Sequence, residues 1–380
     1  MWKASAWVIA AATGFGLVFT QTYKARWDDT VETVDIATLL GPDRPAPNEA
    51  PADGSTGAAV NILLIGEDSG ADRESVLGDT TLILHISADR LRIDVVSIPR
   101  DTVVKIPDCD RSDGTSTRGS TTKFNAAFEN GRARGSNADG AACTIKTVES
   151  LTDIPIDHFA VIGMEGFRDM VDAVGGVPMC IPVAYHDDAS LTYLEPGPQV
   201  LDGTQAMHYV RMRKGINTTG SDLDRIDRQQ EFLKNLASKV LSAEMLYRPQ
   251  DVTHFIKAVA GSLTMDDGFG SADALTGLAF SLRRLNPSND FTFATAPVMA
   301  DPANPKVTVV FTSTASKVWQ AIIDDQPIAP LLDAQSDSPA NEAPDADSGA
   351  TLDGVATPDA GGGSGAASEE EILNACTVGS

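Results

Sequence analysis

The sequence predicts an α/β domain, a mixed central sheet flanked by helices, and three observations carry that expectation. Short, nearly continuous apolar runs at 60–65 (VNILLI), 80–86 (TTLILHI) and 91–98 (LRIDVVSI) have the length and composition of buried strands. Farther along, helical and strand patterns alternate: helix at 141–151, strand at 156–162, helix at 164–174, strand at 177–183. From residue 222 onward, Leu223, Ile226, Leu233, Ala237 and Val240 fall on one face of a helix.

Composition bounds what such a domain does. The chain has 380 residues and a formal net charge of −24, from 29 Lys plus Arg against 53 Asp plus Glu. Strong acidity argues against a nucleic-acid partner, because neutralising phosphates needs a basic surface. Residues 331–380 hold ten acids and no Lys or Arg, which leaves net −14 for the first 330 residues. Residues 4–20 are almost uninterruptedly apolar and flanked by Lys3, Lys24 and Arg26, so 1–27 is read as a membrane anchor or signal region. An anchor is favoured over a cleaved signal, because no small-x-small cleavage site stands out. Residues 28–59 are read as a linker and 326–380 as an acidic disordered tail. The folded domain is then expected at 60–325, outside the membrane.

Taken in order, the first strand runs into Gly66, with Glu67, Asp68 and Ser69 just beyond its end. The second is introduced by Gly78 and Asp79, and the third runs into Pro99, Arg100 and Asp101. Asp68, Asp79 and Arg100 can therefore gather around one rim of the sheet, although the residues alone favour turn and cap roles for the two aspartates. Residues 107–122 read as a polar loop; Asp108, Asp110 and Asp113 do not have the register of a calcium loop. Asp157 and His158 are read as packing at a strand edge. Residues 201–206 start a short helix, 252–262 and 272–285 read as amphipathic helices, 291–295 and 307–311 as strands, and 316–324 as a last helix. Cysteines stand at 109, 143, 180 and 376, and export permits a bridge. Three lie in the folded region, so one internal bridge is expected at most, with one thiol left over; the sequence does not choose the pair, and free buried thiols are the other reading. No nucleophile elbow, Walker A loop, zinc pattern or dinucleotide fingerprint occurs.

The stretch 208–232 concentrates positive charge in this acidic chain. Arg211, Arg213, Lys214, Arg225 and Arg228 outnumber Asp222, Asp224, Asp227 and Glu231. Arg211 and Arg213, two residues apart, point to the same side on an extended segment. A turn follows, with Ser221 or Asp222 as helix cap. Arg225, Arg228 and Gln229 share the polar face of the next helix. Planar, permanently charged guanidinium forks suit phosphate oxygens, so the two pairs can converge on one anion; a salt-bridged surface helix is the other reading of this stretch.

This stretch resembles the C-terminal signature of the LytR-CpsA-Psr family of cell-envelope phosphotransferases. The pattern Tyr-x-Arg-x-Arg, then Asp-hydrophobic-x-Arg, then Arg-Gln-Gln is met by Tyr209, Arg211, Arg213, Asp222, Leu223, Arg225, Arg228, Gln229 and Gln230. NILLIGEDS at 61–69, SIPRDT at 97–102 and Lys123-Phe124-Asn125-Ala126-Ala127 are similar to further family motifs. The resemblance implies that Asp68 and Asp79 bind Mg²⁺. It implies that Arg100, Lys123, Arg211, Arg213, Arg225, Arg228 and Gln229 bind a pyrophosphate. Arg100, Arg211, Arg213 and Arg225 are the expected catalytic cations, with Asp222 as the base. The family usually has Asp-Ser-Arg and Arg-Ser-Asp-Thr near the metal; here the residues are Asp68-Ser69-Gly70 and Leu77-Gly78-Asp79-Thr80, with Arg73 between.

The implied reaction transfers a glycopolymer from a polyprenyl-pyrophosphate carrier to peptidoglycan, at the membrane and without nucleic acid. The polymer stays open among teichoic acid, arabinogalactan and capsule. The prenyl chain is expected between the sheet and a helix such as 164–174. The rival readings are a polyprenyl-phosphate binder or pyrophosphatase without transfer, and a transcriptional regulator, which the acidity and the lack of a basic helix-turn-helix disfavour.

Overall fold

A computed structural model of the chain describes residues 32–50, 57–68, 77–132, 136–187, 192–212, 222–240, 263–286 and 289–336. The first three long strands form where the apolar runs place them: β2 (Val60–Glu67), β3 (Gly78–Ile86) and β4 (Ile93–Ser97). They join β1 (Glu32–Val34), β9 (His158–Ile162), β14 (Leu263–Asp266) and β15 (Phe291–Thr295) in a seven-stranded sheet of order β1-β14-β9-β2-β3-β4-β15. The β2–β9, β4–β15 and β1–β14 pairs are parallel and the others antiparallel, so the sheet is mixed.

Period-two alternation decides the two faces. Leu63, Ile65, Ile83, Val96 and Val161 point into a core built with α2 (Ala126–Arg132), α3 (Asn137–Thr152) and α8 (Ser313–Ile323). Ile62, Leu82, Ile86, Ile93 and Val95 point to the other face, toward α6 (Asp222–Val240) and α7 (Ala272–Ser281). A second core gathers α4 (Met164–Ala173), β10 (Val177–Ile181), β13 (Gly197–Leu201), α5 (Gly203–Arg211) and the inner face of α6. Phe232 and Leu236 enter this core while Leu233 touches the sheet cluster, so α6 joins the two.

The folded unit reaches beyond 60–325 at both ends. β1 and α1 (Ala37–Leu40) lie within the segment read as linker, and Ile36 and Leu40 are buried in the main core. Arg44 straps this segment down, with Nη2 donating to Glu149 Oε1 and to the Ile156 carbonyl, each at 2.6 Å. Past residue 325, buried Ile328 continues the same core into α9 (Ala329–Ser336). Among the described residues no helix is long and apolar enough to cross a membrane. The expected anchor at 1–27 and the helix at 252–262 lie outside the described residues.

The polar stretch 107–122 is not a plain loop. β5 (Val103–Ile106) pairs with β8 (Ser120–Lys123), and between them β6 (Cys109–Asp110) pairs with β7 (Ser116–Thr117). Its aspartates serve turns: Asp113 accepts from Thr115 N and Asp108 from Gly119 N. A Cys109–Cys143 disulfide ties the hairpin to α3, and no described cysteine is a free thiol. That answers the open pairing and excludes the free-thiol reading, and the expected left-over thiol is corrected too, since Cys180 is disulfide-bonded.

Candidate active site

The site lies at the end of the sheet where β2 and β9 finish and β3 begins. Gly66 pairs with Thr80 but Glu67 pairs with Gly78, so Asp79 is the extra residue of a β-bulge. A bulge re-aims one side chain out of the ladder, and here that side chain is an aspartate. Asp68 follows directly, its backbone N–H donating to the Leu77 carbonyl at 3.1 Å. The bulge therefore places two carboxylates on neighbouring strands at one rim, Asp68 being almost fully buried.

Each carboxylate holds an arginine from another element. Arg100 Nη1 donates to Asp79 Oδ1 at 2.9 Å, from the turn after β4. Arg211 Nη2 donates to Asp68 Oδ1 at 3.3 Å, from the end of α5. Arg225, on the first turns of α6, reaches the Asp79 carbonyl at 3.3 Å. Gln229, one turn on, accepts from Thr80 Oγ at 3.4 Å and donates to the Val210 carbonyl at 3.0 Å. Lys123 joins from the end of β8, with Nζ 2.6 Å from Asp101 Oδ1.

Arg228 lies deeper. One of its terminal nitrogens donates to the Met212 carbonyl. Its guanidinium lies 5.9 Å from the Tyr185 ring centroid, a cation–π shelf. Buried Nε of Arg228 finds no acceptor among the described residues. Tyr209 backs this shelf, fully buried, edge-on to Tyr185 and donating to Glu231 Oε2 at 3.3 Å. Burial pushes both the Tyr209 hydroxyl and the Glu231 carboxyl upward, so the tyrosine keeps its proton at neutral pH. Tyr209 of the signature is thus scaffold.

Of the expected site residues, the structure brings together Asp68, Asp79, Arg100, Lys123, Arg211, Arg225, Arg228 and Gln229. Arg213 and Arg73 lie outside the described residues, and so does the side chain of Asp222, whose backbone begins α6. One expectation is corrected. Arg211 is not on an extended segment but is the last residue of α5, a helix opened by a capping box between Asp202 and Gln205. Arg211 reaches the site from a helix end, so strand alternation does not orient it.

Helix α4 is also not where a prenyl channel was expected. Its buried Val171, with Phe167 and Met170, packs into the second core rather than on the sheet. The sheet face with accessible apolar surface is the one under α6 and α7, where Leu64, Leu84, Leu278, Leu282, Phe291 and Phe293 are only partly buried. Asp157 and His158 lie at the opposite end of β9, where Asp157 accepts from Asn61 N at 2.8 Å and His158 Nδ1 contacts Asp266 Oδ1 at 2.9 Å. They take no part in the arginine cluster. Sequence reading missed Thr80, Asp101 and the Val210 and Met212 carbonyls as parts of the site. Of these, Asp101, inside SIPRDT, and Thr80, at the end of the Asp-Thr pattern, carried a signal.

Comparison with known proteins agrees with this architecture. The chain is 31% identical over 340 residues to the cell wall biosynthesis protein LcpA of Corynebacterium glutamicum, covering 80% of this chain and 62% of LcpA. It is 31% identical over 189 residues to the polyisoprenyl-teichoic acid–peptidoglycan teichoic acid transferase TagV of Bacillus subtilis, covering 48% of this chain and 44% of TagV. The chain thus spans less than two thirds of the length of either. The structure of a LytR-Csp2A-Psr enzyme from Actinomyces oris superposes with a TM-score of 0.55 at 20% identity, over 77% of this chain and 95% of that one, which shows a shared fold. The LytR-CpsA-Psr family profile matches residues 25–309, a span that contains every site residue named above, and the chain belongs to that family.

Proposed function

We propose that the protein transfers a glycopolymer from a polyprenyl-pyrophosphate carrier to peptidoglycan, as a Mg²⁺-assisted phosphotransferase. The observation that carries this reading is the convergence of Asp68, Asp79, Arg100, Arg211 and Arg225 from five separate elements at one sheet end. In a chain of net charge −24, such a gathering of guanidinium groups suits an anion of high charge. Relatives named for teichoic acid transfer to peptidoglycan and for cell wall biosynthesis support the substrate class.

Asp68 and Asp79 fit Mg²⁺ by donor chemistry: hard carboxylate oxygens, two in number, with phosphate oxygens and water to complete the shell. A bound Mg²⁺ would neutralise charge developing on the transferred and leaving phosphates. The protein's own groups do the rest. Arg100, Lys123, Arg211, Arg225, Arg228 and Gln229, with Arg213, hold the pyrophosphate oxygens. A sugar hydroxyl of the acceptor forms a new bond to the sugar-linked phosphorus, the bridging P–O bond breaks, and polyprenyl phosphate leaves with the electron pair. Asp222 takes the hydroxyl proton. The prenyl chain lies along the half-buried apolar face between the sheet and α6 and α7. The domain works outside the membrane on its N-terminal anchor, and the buried Cys109–Cys143 bridge supports an oxidising compartment.

The test uses the full chain in detergent micelles with Mg²⁺, a polyprenyl-pyrophosphate-linked saccharide and peptidoglycan fragments. Polyprenyl phosphate release and sugar incorporation are followed for wild type and Arg211→Ala. Acceptor-dependent transfer that is lost in the variant is the expected result. Release without incorporation would identify a pyrophosphatase, and neither would identify a lipid-binding protein.

A further inference from the structure

Asp101 has no assigned part in the reaction, yet its carboxylate lies between two of the cations. Oδ1 is 2.6 Å from Lys123 Nζ and Oδ2 is 3.6 Å from Arg100 Nε. The two cations come from different elements, Lys123 from the end of β8 and Arg100 from the turn after β4. Both are long, flexible side chains, and Lys123 is about one third exposed. The acid that joins them is short and stands on pinned backbone. The Asp101 carbonyl accepts from Val309 N at 3.2 Å, the Arg100 carbonyl from Asn125 N at 3.2 Å, and the Thr102 carbonyl from Phe124 N at 2.8 Å. Thr102 Oγ closes the turn on the Pro99 carbonyl at 2.6 Å.

We propose that Asp101 is a positioning residue of the phosphate site, which holds Lys123 and Arg100 as one pre-aligned cation pair. The inference rests on the pyrophosphate reading of the site. Arg100 is held by an acid on each side, Asp79 and Asp101. When Asp79 turns to a metal, the Asp101 carboxylate still pairs with the guanidinium as an ion pair at 3.6 Å. Ordering these side chains before the substrate arrives removes that entropy cost from the binding step.

The sign of one substitution separates this from simple electrostatics. Asp101 is an anion beside a polyanion site, so if it acted only as a charge, Asp101→Asn would tighten pyrophosphate binding and salt would erase the gain. As a positioning residue, the same isosteric change weakens binding. The experiment titrates farnesyl pyrophosphate into the full chain in micelles, for wild type, Asp101→Asn, Asp101→Glu, Lys123→Ala and the Asp101→Asn/Lys123→Ala pair. The expected result is roughly tenfold weaker binding for Asp101→Asn, and a double variant little worse than Lys123→Ala alone. Asp101→Glu recovers part of the loss. In turnover, KM for the lipid rises while kcat changes by less than about threefold. A readout free of ligand runs alongside: after reductive ¹³C-methylation, the Lys123 methyl resonance of wild type is displaced by the Asp101 carboxylate 2.6 Å from Nζ and moves in Asp101→Asn. Unchanged or tighter binding by Asp101→Asn, additive losses in the double variant, or an unmoved Lys123 resonance would each overturn the proposal. Wild type that is folded but does not bind the probe would overturn the functional reading, and the proposal with it.

Discussion

Asp79→Asn separates what the bulge does for the fold from what it does for chemistry. Asp79 makes two kinds of contact: its carboxylate takes Arg100 Nη1 at 2.9 Å, and its backbone carbonyl takes Arg225. Asparagine keeps the carbonyl and an acceptor oxygen of the same reach but loses the charge. A hydrogen bond to a charged group contributes about 1.5–3 kcal/mol and a neutral one about 1, so the expected destabilisation is about 0.5–2 kcal/mol. For a domain of this size that lowers Tm by roughly 1–8 °C. Function should respond far more strongly. Loss of one of two carboxylates from the proposed Mg²⁺ site is expected to cut transfer by about 100-fold or more. It should also remove ligand-induced stabilisation. Farnesyl pyrophosphate with Mg²⁺ at about 100 times its Kd stabilises wild type by about 2.7 kcal/mol, or roughly 5–10 °C. Scanning calorimetry with and without ligand, beside the transfer assay, reads all of these. A variant that keeps transfer within threefold of wild type and keeps the ligand-induced rise in Tm would refute the metal role of Asp79.

Three further outcomes are expected. Replacing both Cys109 and Cys143 by Ala opens a 34-residue loop, which loop entropy values at about 4 kcal/mol; urea unfolding reads the loss, and a change under about 1 kcal/mol would contradict it. Gly131→Ala places a Cβ on the Asp139 carbonyl and within 2.8 Å of Gly140 Cα, where helix backbones meet, so a loss at or above the usual overpacking range of about 1–3 kcal/mol is expected in the same assay. The hydrogen bond to Asp266 raises the His158 pKa in the fold, so its stabilisation is complete below the unfolded value near 6.5 and is lost as pH rises through the folded one. Burial lowers the His85 pKa, so that residue acts in the opposite sense, its contribution present above about 6.5 and lost as pH falls. The unfolding midpoint of wild type relative to His158→Gln should therefore fall as pH rises, and relative to His85→Gln should rise.

What was legible in the sequence is what local pattern decides. The apolar runs of β2, β3 and β4 announce themselves because each is buried on both faces; 291–295 was bounded correctly although β15 is a half-buried edge strand, since its Phe, Thr and Ala residues alternate in a strand-forming run. β1 was not legible: three residues, Glu-Thr-Val, owe their conformation to pairing with β14 some 230 positions later. β6 to β8 were hidden by polar composition, since short hairpins outside the main sheet need little apolar surface; β5 is apolar, with Val104 and Ile106 in the main core, but is only four residues long. The site was legible as an inventory of residues and not as a geometry. The bulge that turns Asp79 outward is a property of register between two strands, and no single strand shows register. Arg211 shows the same limit. The capping box of α5 is written in Asp202 and Gln205, but the residue at which the helix stops is not.

The charge arrangement bears on which ligand the site accepts. Asp68 and Asp79 are each engaged by an arginine, so carboxylates and guanidinium groups neutralise one another. A pyrophosphate alone would meet two carboxylates, and a divalent cation alone would meet at least three guanidinium groups; each is opposed by like charge. The two together exchange carboxylate–arginine pairs for carboxylate–metal and arginine–phosphate pairs, with every charge still matched. Such an exchange favours a metal pyrophosphate over either ion, and it makes the coupling between them reciprocal. It also assigns a use to burial at the rim. Asp68, Arg225 and Arg228 are largely withdrawn from water, so a mismatched charge there is not screened as it would be on the surface, and selectivity for the matched pair rises with the same low exposure that keeps the residues in place.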